Sequence, residues 1–305
     1  MSGLGVPSES VAHDGGLGGP PAQRRRTGLS RRGREICRGV LRQPILAACV
    51  VVVAVAVAAA LAPAAFTGAD PLRVRPTAKL HSPDGTHPFG TDQLGRDLFA
   101  RVVHGAGLSL SCAAIAVLVG LIAGSLVGLT AGFVGGALDA AVMRLVDVLL
   151  AVPSLLLATT LVTTFGFGPV QTALAVGTSS VAGFARLMRA EVLRVREQAY
   201  VEAALVAGAR RLSVLRRHIL PHTRGAVLAL TALDFGGAIL AVSALGFLGF
   251  GAQPPTPEWG ALVAGGRGYL DTAWWMTAAP GLAVVLTVLA LNRISQAFDT
   301  PTGPR

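Results

Sequence analysis

The sequence predicts an all-α integral membrane protein with six transmembrane helices. Three observations carry that expectation. Apolar residues make up 52% of the chain and charged residues only 14%, whereas soluble domains carry about a quarter charged. Apolar stretches recur at 44–66, 107–132, 141–165, 169–188, 225–250 and 273–292, each close to the roughly 20 residues that a bilayer-crossing helix needs. Arginines gather in the N-terminal tail and again between the fourth and fifth stretches, the side of the membrane that the positive-inside rule assigns to the cytoplasm.

Residues 1–43 are rich in Gly, Pro and Ser and carry Arg24, Arg25, Arg26, Arg31, Arg32, Arg34, Arg38 and Arg42. So few apolar side chains cannot offset the entropy of ordering, which predicts a disordered, basic, cytoplasmic tail. The run Pro44 to Phe66, "PILAACVVVVAVAVAAALAPAAF", is long enough to cross a bilayer. A secretory signal has a shorter apolar core placed nearer the start, so this run reads as an uncleaved first helix. Residues 67–106 are polar and turn-rich and form an extracytoplasmic segment. With six spans and the tail inside, 189–224 and the C-terminal residues 293–305 fall inside, and 251–272 falls outside with Glu258 and Asp271.

The second stretch places Gly120, Gly124, Gly128 and Gly132 on every fourth residue. On a helix these form one narrow stripe that lets a neighbour approach closely. Carboxylates inside spans are costly and therefore informative. Asp147 follows Arg144 by three residues and can pair with it on one helix face; a substrate contact is the other reading. Asp234 has no basic neighbour in sequence, so it faces the bundle interior or a wet cavity, as a pathway residue or as an interhelical hydrogen-bond acceptor.

Enzyme chemistry is not signposted. There is no phosphate-cradling glycine loop, and the single lysine, Lys79, lies in "PTAKLHSP". His218 and His222 are four apart but have no carboxylate beside them, and His81 and His87 flank a turn. No metal site is expected. Cys37, Cys49 and Cys112 share no disulfide or metal spacing. The net charge of +10 flanks apolar spans, which suits anionic lipid rather than nucleic acid.

The segment "YVEAALVAGARRLSVLRRHILPH" (200–222) interrupts the apolar pattern. On a helix, Tyr200, Ala203, Ala204 and Ala207 share a face of small side chains opposite Glu202, able to seat in a groove on another protein. Gly208 permits the left-handed turn that ends that helix. A second short helix with Leu212, Leu215 and Ile219 on one stripe follows, and Pro221 is expected to stop it. An amphipathic loop lying on headgroups accounts for the arginines but not for this order of small residues, Gly and Pro.

"EAALVAG" followed by "HILP" resembles the cytoplasmic loop motif of permease subunits in binding-protein-dependent ABC importers. Glu202, Ala203, Ala204, Gly208, Leu220 and Pro221 match, with His218 at the motif's Ile position. "HPFGTDQLGRDLFARVVHGAGLSL" and "LGFLGFGAQPPTPEWGALV" are similar to the C-type subunit of the dipeptide/oligopeptide/nickel group, which singles out Phe89, Gly90, Thr91, Asp92, Gly95, Arg96 and Asp97. The chain departs from the group at Val242, often acidic there, at Gly246, often Ser, and after Asn292.

The resemblance implies a type I importer transmembrane fold, with a permease domain over 107–292 and a coupling loop at 189–224. It implies a pore-forming, multi-pass cell-membrane subunit with both termini cytoplasmic, importing di- or oligopeptides, or alternatively a nickel chelate or glutathione. The implied partners are a second permease subunit forming a heterodimer, two cytoplasmic ABC ATPase subunits and an extracytoplasmic solute-binding protein. No cofactor is expected on this chain; ATP and Mg are expected in the ATPase subunits. An intramembrane enzyme is the rival of another class, and it lacks a catalytic dyad.

Overall fold

A computed structural model describes residues 44–299, apart from the side chains of Glu202, Leu205, Arg211, Phe298 and Asp299. The predicted tail at 1–43, with Cys37, and residues 300–305 lie outside it. Every regular element in this range is helical, and the one β-bridge pairs Thr91 with Asp97.

Helix α1 (Pro44–Leu61) is apolar all round. Only Ala56 and Ala59 are buried, while Ile45, Val51 and Leu61 are exposed, the pattern of a helix bathed in lipid rather than water. It stops before Phe66 because Pro63 opens a separate 3-10 turn. Helix α2 (Leu98–Val134) begins well before the expected residue 107, since Asp97 caps it by accepting a hydrogen bond from the Ala100 N–H at 2.7 Å.

The third predicted span is two helices, α3 (Gly136–Ala151) and α4 (Ser154–Phe165), bent by 94°. Val152, which precedes Pro153, is extended at φ −87°, ψ 128°, as the proline ring demands of its neighbour. Helix α5 (Pro169–Arg196) outruns its predicted end at 188, and its C-terminal turns carry Arg186, Arg189, Glu191 and Arg194. Four helices in the described range are long and apolar enough to cross a membrane, or five counting the bent pair as one span; α5 is not among them, its first half being diluted by Gln171, Thr172, Thr178, Ser179 and Ser180.

Two short helices follow, α6 (Ala199–Val206) and α7 (Arg211–Val214), then a π-turn over Leu215–Ile219 that runs directly into α8 (Leu220–Phe247). Pro221 therefore does not stop a helix. It sits at the first turn of α8, where its missing N–H costs little, and the wider turn is closed by the Leu220 N–H donating to Leu215 O. On the other face, α9 (Trp259–Gly266) leads to α10 (Trp275–Asp299), which continues past the predicted end at 292.

The glycine stripe of α2 finds its partner in α5. A methyl group added at Gly120 would lie 2.8 Å from Ser180 Cβ, and one at Gly124 2.6 Å from Phe184 Cβ. Gly177 of α5 returns the fit, since a methyl there would lie 2.7 Å from Ala116 O. Backbones this close leave no room for side chains between them, and dispersion contacts replace the hydrophobic drive that lipid removes. The main core joins α2, α8, α9 and α10 through Leu98, Val102, Ile239, Leu245, Trp259 and Met276; a second, at the other end, joins α5 to the α6–α8 segment.

Candidate functional site

The segment from α6 to the start of α8 is a packed unit. Gly208 has φ +86° and nothing within 4 Å of where a side chain would project. It closes α6 together with the Ala207 N–H bond to Ala203 O at 2.9 Å and the Ala209 N–H bond to Ala204 O at 3.0 Å. Val201, fully buried, points inward against Val192 and Val195 of α5 and against Val214, Leu215 and Ile219. The loop is thus packed against α5 and continues through the π-turn into α8.

Tyr200, Ala203 and Ala207 are exposed, Ala204 is half-buried and Val206 is 84% exposed. The side chain of Glu202 lies outside the described residues. Leu212 does not share the stripe of Leu215 and Ile219: it is 55% exposed, and Val214 is buried with them instead. The π-turn is the reason, because its extra residue per turn shifts the stripe. The Tyr200 ring lies 5.9 Å from the His218 ring and 5.7 Å from the His222 ring. Leu220 is half-buried and Pro221 exposed at the joint with α8. Arg196 Nη1 donates to Gly132 O at 3.2 Å, satisfying the end of α2 beside this unit.

Between α5 and α8, at the level of the α3–α4 bend, lies a cavity of about 270 Å³ lined by Ser154, Ser179, Ser180, Phe184, Asp234 and Gly237 among others. Ser180 Oγ donates to Asp234 Oδ1 at 3.2 Å. Asp234 Oδ2 is sheltered and has no partner among the described residues. Asp147 is not in this cavity. It pairs with Arg186 of α5 at 2.5 Å rather than with Arg144, and its side chain is 63% exposed. An arginine preceding the acid along a helix is the weaker order, and Arg186 reaches across from α5. Arg189 binds Asp139 through two bonds of 2.5 and 2.6 Å, a second tie between α3 and α5.

The motif at 87–97 is a knot of turns. Gly90 and Gly95 adopt φ +71° and +75°. Asp92 accepts from Arg96 Nε at 2.6 Å, and Arg101 Nε lies 3.7 Å away, all three side chains being buried. Thr91 Oγ1 donates to Ala78 O at 2.5 Å, and the Trp275 indole N–H donates to Thr91 O at 3.2 Å. His87 Nδ1 bonds Asp97 at 2.6 Å, and Phe89 meets Phe99 edge-on. The His87 and Thr86 N–H groups and the Thr86 hydroxyl hold the exposed Asp84 carboxyl below its ordinary range. These residues anchor the segment 67–97 to α2 and α10. Among the described residues no group of three or more metal-ligating side chains converges.

Sequence reasoning passed over Glu258. It is almost fully buried and heads α9, accepting from the Gly260 and Ala261 N–H groups at 2.8 Å each and from Ser109 Oγ at 3.2 Å. Burial pushes its carboxyl up, and the three hydrogen bonds oppose that. A glutamate directly before Trp-Gly, where a helix must start after Pro254, Pro255 and Pro257, was the available signal.

Residues 120–302 match the family described as binding-protein-dependent transport system inner membrane component. The chain is 42% identical to the di/tripeptide transport system permease protein DppC of Pseudomonas aeruginosa, over 71% of this chain and 72% of that protein. It is 34% identical to the dipeptide transport system permease protein DppC of Alkalihalophilus pseudofirmus over 94% of each. It is 38% identical to the glutathione transport system permease protein GsiD of Pectobacterium atrosepticum, over 73% of this chain and 74% of that protein. Among solved structures, an inward-facing MetNI methionine ABC transporter superposes with TM-score 0.52 at 16% identity, covering 66% of this chain and 97% of that one. That likeness extends to the fold alone. The chain therefore belongs to the binding-protein-dependent transport system inner membrane components, as a multi-pass cell-membrane permease subunit of an ABC importer that works with ATPase and substrate-binding partners and is not itself an enzyme.

Proposed function

We propose that the chain is the C-type pore-forming subunit of a dipeptide importer. The observation that carries the coupling role is the wedged loop: a positive-φ Gly208 turn ends α6, and Val201 locks α6 onto α5 and α8. Movement of an ATPase seated on the exposed Ala203–Val206–Ala207 surface is passed through Val201 into helices that border the cavity. In this reading Glu202, Ala203, Ala204, Gly208, Leu220 and Pro221 form the joint. Two ATPase subunits use ATP and Mg, a second permease subunit completes a heterodimer, and a solute-binding protein delivers cargo from outside.

The chain crosses the membrane six times with both termini cytoplasmic, α5 being the span that its hydroxyl-bearing and amide side chains conceal. The relatives named for di- and tripeptide transport support peptide cargo. Glutathione is the second reading, favoured by the relative from Pectobacterium.

The test is reconstitution of the full importer in proteoliposomes. Uptake of a labelled dipeptide, driven by ATP and dependent on the binding protein, is expected, and competition by excess glutathione separates the two cargoes. A reporter fused after Arg211 should read cytoplasmic and one after Pro257 external; both on one side overturns the six-span topology.

A further inference from the structure

The cavity between α5 and α8 has an unbalanced electrical character. Its lining holds one carboxylate, Asp234, and the hydroxyls of Ser154, Ser179 and Ser180, but no arginine, lysine or histidine. The ion pairs of α5 lie elsewhere: Arg186 is engaged by Asp147 and Arg189 by Asp139. Ser180 satisfies one carboxylate oxygen, and the other is buried with no partner among the described residues. A buried acceptor left unsatisfied is costly, and a charge at membrane depth persists only against a partner or water. A cation carrying hydrogen-bond donors would meet both needs at once.

We infer that Asp234, with Ser179 and Ser180, forms a transient binding site for the α-ammonium group of a peptide passing through the subunit. An ammonium has three donors, enough to reach the free carboxylate oxygen and the two serine hydroxyls. The volume of about 270 Å³ is at the small end for ligand pockets, which suits the N-terminal residue of a peptide rather than an extended chain. Phe184 and the Gly183–Gly237 floor supply an apolar wall with little side-chain bulk for the residue behind the ammonium. Asp234 sits midway along α8, the helix that continues from the ATPase-facing loop through the π-turn. Displacement of α8 against α5 separates Asp234 from Ser180 and breaks the site, so cargo is released when the loop moves. The identity of the cation as a peptide ammonium rests on the dipeptide reading above; the demand for a cation does not.

The test has two arms in the complete reconstituted importer, with Cys37, Cys49 and Cys112 replaced by Ser and Ser179→Cys introduced in the cavity. The first arm compares labelling by a cationic and an anionic methanethiosulfonate, each normalised to its rate with a small free thiol. The cationic reagent should be favoured by about tenfold or more, as charge-lined clefts concentrate counter-ions. Asp234→Asn should remove the preference, and Asp234→Glu should retain it. Equal normalised rates in the parent importer, or a preference that survives Asp234→Asn, overturn the site.

The second arm measures uptake of Ala-Ala without the reporter cysteine. Asp234→Asn should lower it about tenfold or more, the loss of one charge-assisted hydrogen bond, while membrane insertion and assembly with the ATPase subunits, measured by copurification, confirm that the variant folds. Normal Ala-Ala uptake by Asp234→Asn overturns the ammonium assignment. If the parent importer does not take up Ala-Ala at all, the dipeptide reading fails and with it the ammonium, whereas the labelling preference still decides whether the cavity is a cation site.

Discussion

Ser109 on α2 and Glu258 at the head of α9, 149 residues apart in sequence, are joined by a 3.2 Å hydrogen bond inside the outer core. Ser109 Oγ also accepts from the Trp259 N–H at 3.0 Å, and the Trp259 indole donates to Val102 O at 2.9 Å. Three bonds thus fix the short helix α9 against α2. The carboxylate at their centre has its proton affinity raised by burial, which makes the joint sensitive to pH.

The sign follows from which state binds the proton more tightly. The folded state holds the Glu258 proton above the ordinary glutamate range, so above about pH 4.5 the unfolded state binds fewer protons and stability falls as pH rises. The loss is complete once pH passes the raised folded value. Glu258→Gln should flatten this part of the profile of thermal unfolding in detergent. Parallel profiles for parent and variant would show that another group sets the slope.

Gly246 of α8 abuts the same carboxyl group, and a methyl added there would lie 3.0 Å from Glu258 Cδ and closer still to its oxygen. Gly246→Ala is expected to destabilise the purified subunit by about 1–3 kcal/mol, the usual cost of overpacking. Gly225→Ala, on the same helix with open space around it, should cost nothing. Comparing the two melting shifts separates packing from helix propensity.

Asp92 is the shared acceptor for Arg96 and Arg101 in the outer knot. Asp92→Asn leaves two buried guanidinium groups without their counter-ion, an imbalance worth about 3–5 kcal/mol. The outer segment should loosen first, so proteolysis from the external side of oriented vesicles should cut within 67–97 far faster than in the parent. Unchanged cleavage would mean that the backbone bonds of the knot suffice without the ion pair.

Gly208 provides a test of the proposed joint to the ATPase. Its φ of +86° is a region in which β-branched residues are strained by roughly 1–2 kcal/mol, whereas no neighbour stands within 4 Å to clash. Gly208→Val should therefore insert normally but lose most binding-protein-stimulated ATP hydrolysis and uptake. Gly208→Asn, which tolerates the left-handed region, should keep much more of both. Equal loss in the two variants would point to side-chain bulk at the interface rather than to the turn.

Much of this architecture was legible along the chain. Apolar runs of bilayer length locate the long helices because backbone groups in hydrocarbon must find hydrogen-bond partners within their own segment, and Gly120, Gly124, Gly128 and Gly132 announce a close helix contact because four-residue spacing repeats on one face. Gly208 announces its own turn, since positive φ is a property of one residue. What tertiary structure decided is which partner each element meets. No spacing rule names α5 as the helix against the glycine stripe, pairs Asp147 with Arg186 instead of Arg144, or sets Ser180 beside Asp234. Pro221 carries the same lesson at the backbone: its local preference is to end a helix, yet the π-turn before it and the burial of Ile219 against α5 carry the chain straight into α8. Local sequence sets propensities of about a kilocalorie per mole or a few, and packing between distant segments, which sums many such contacts, settles the rest.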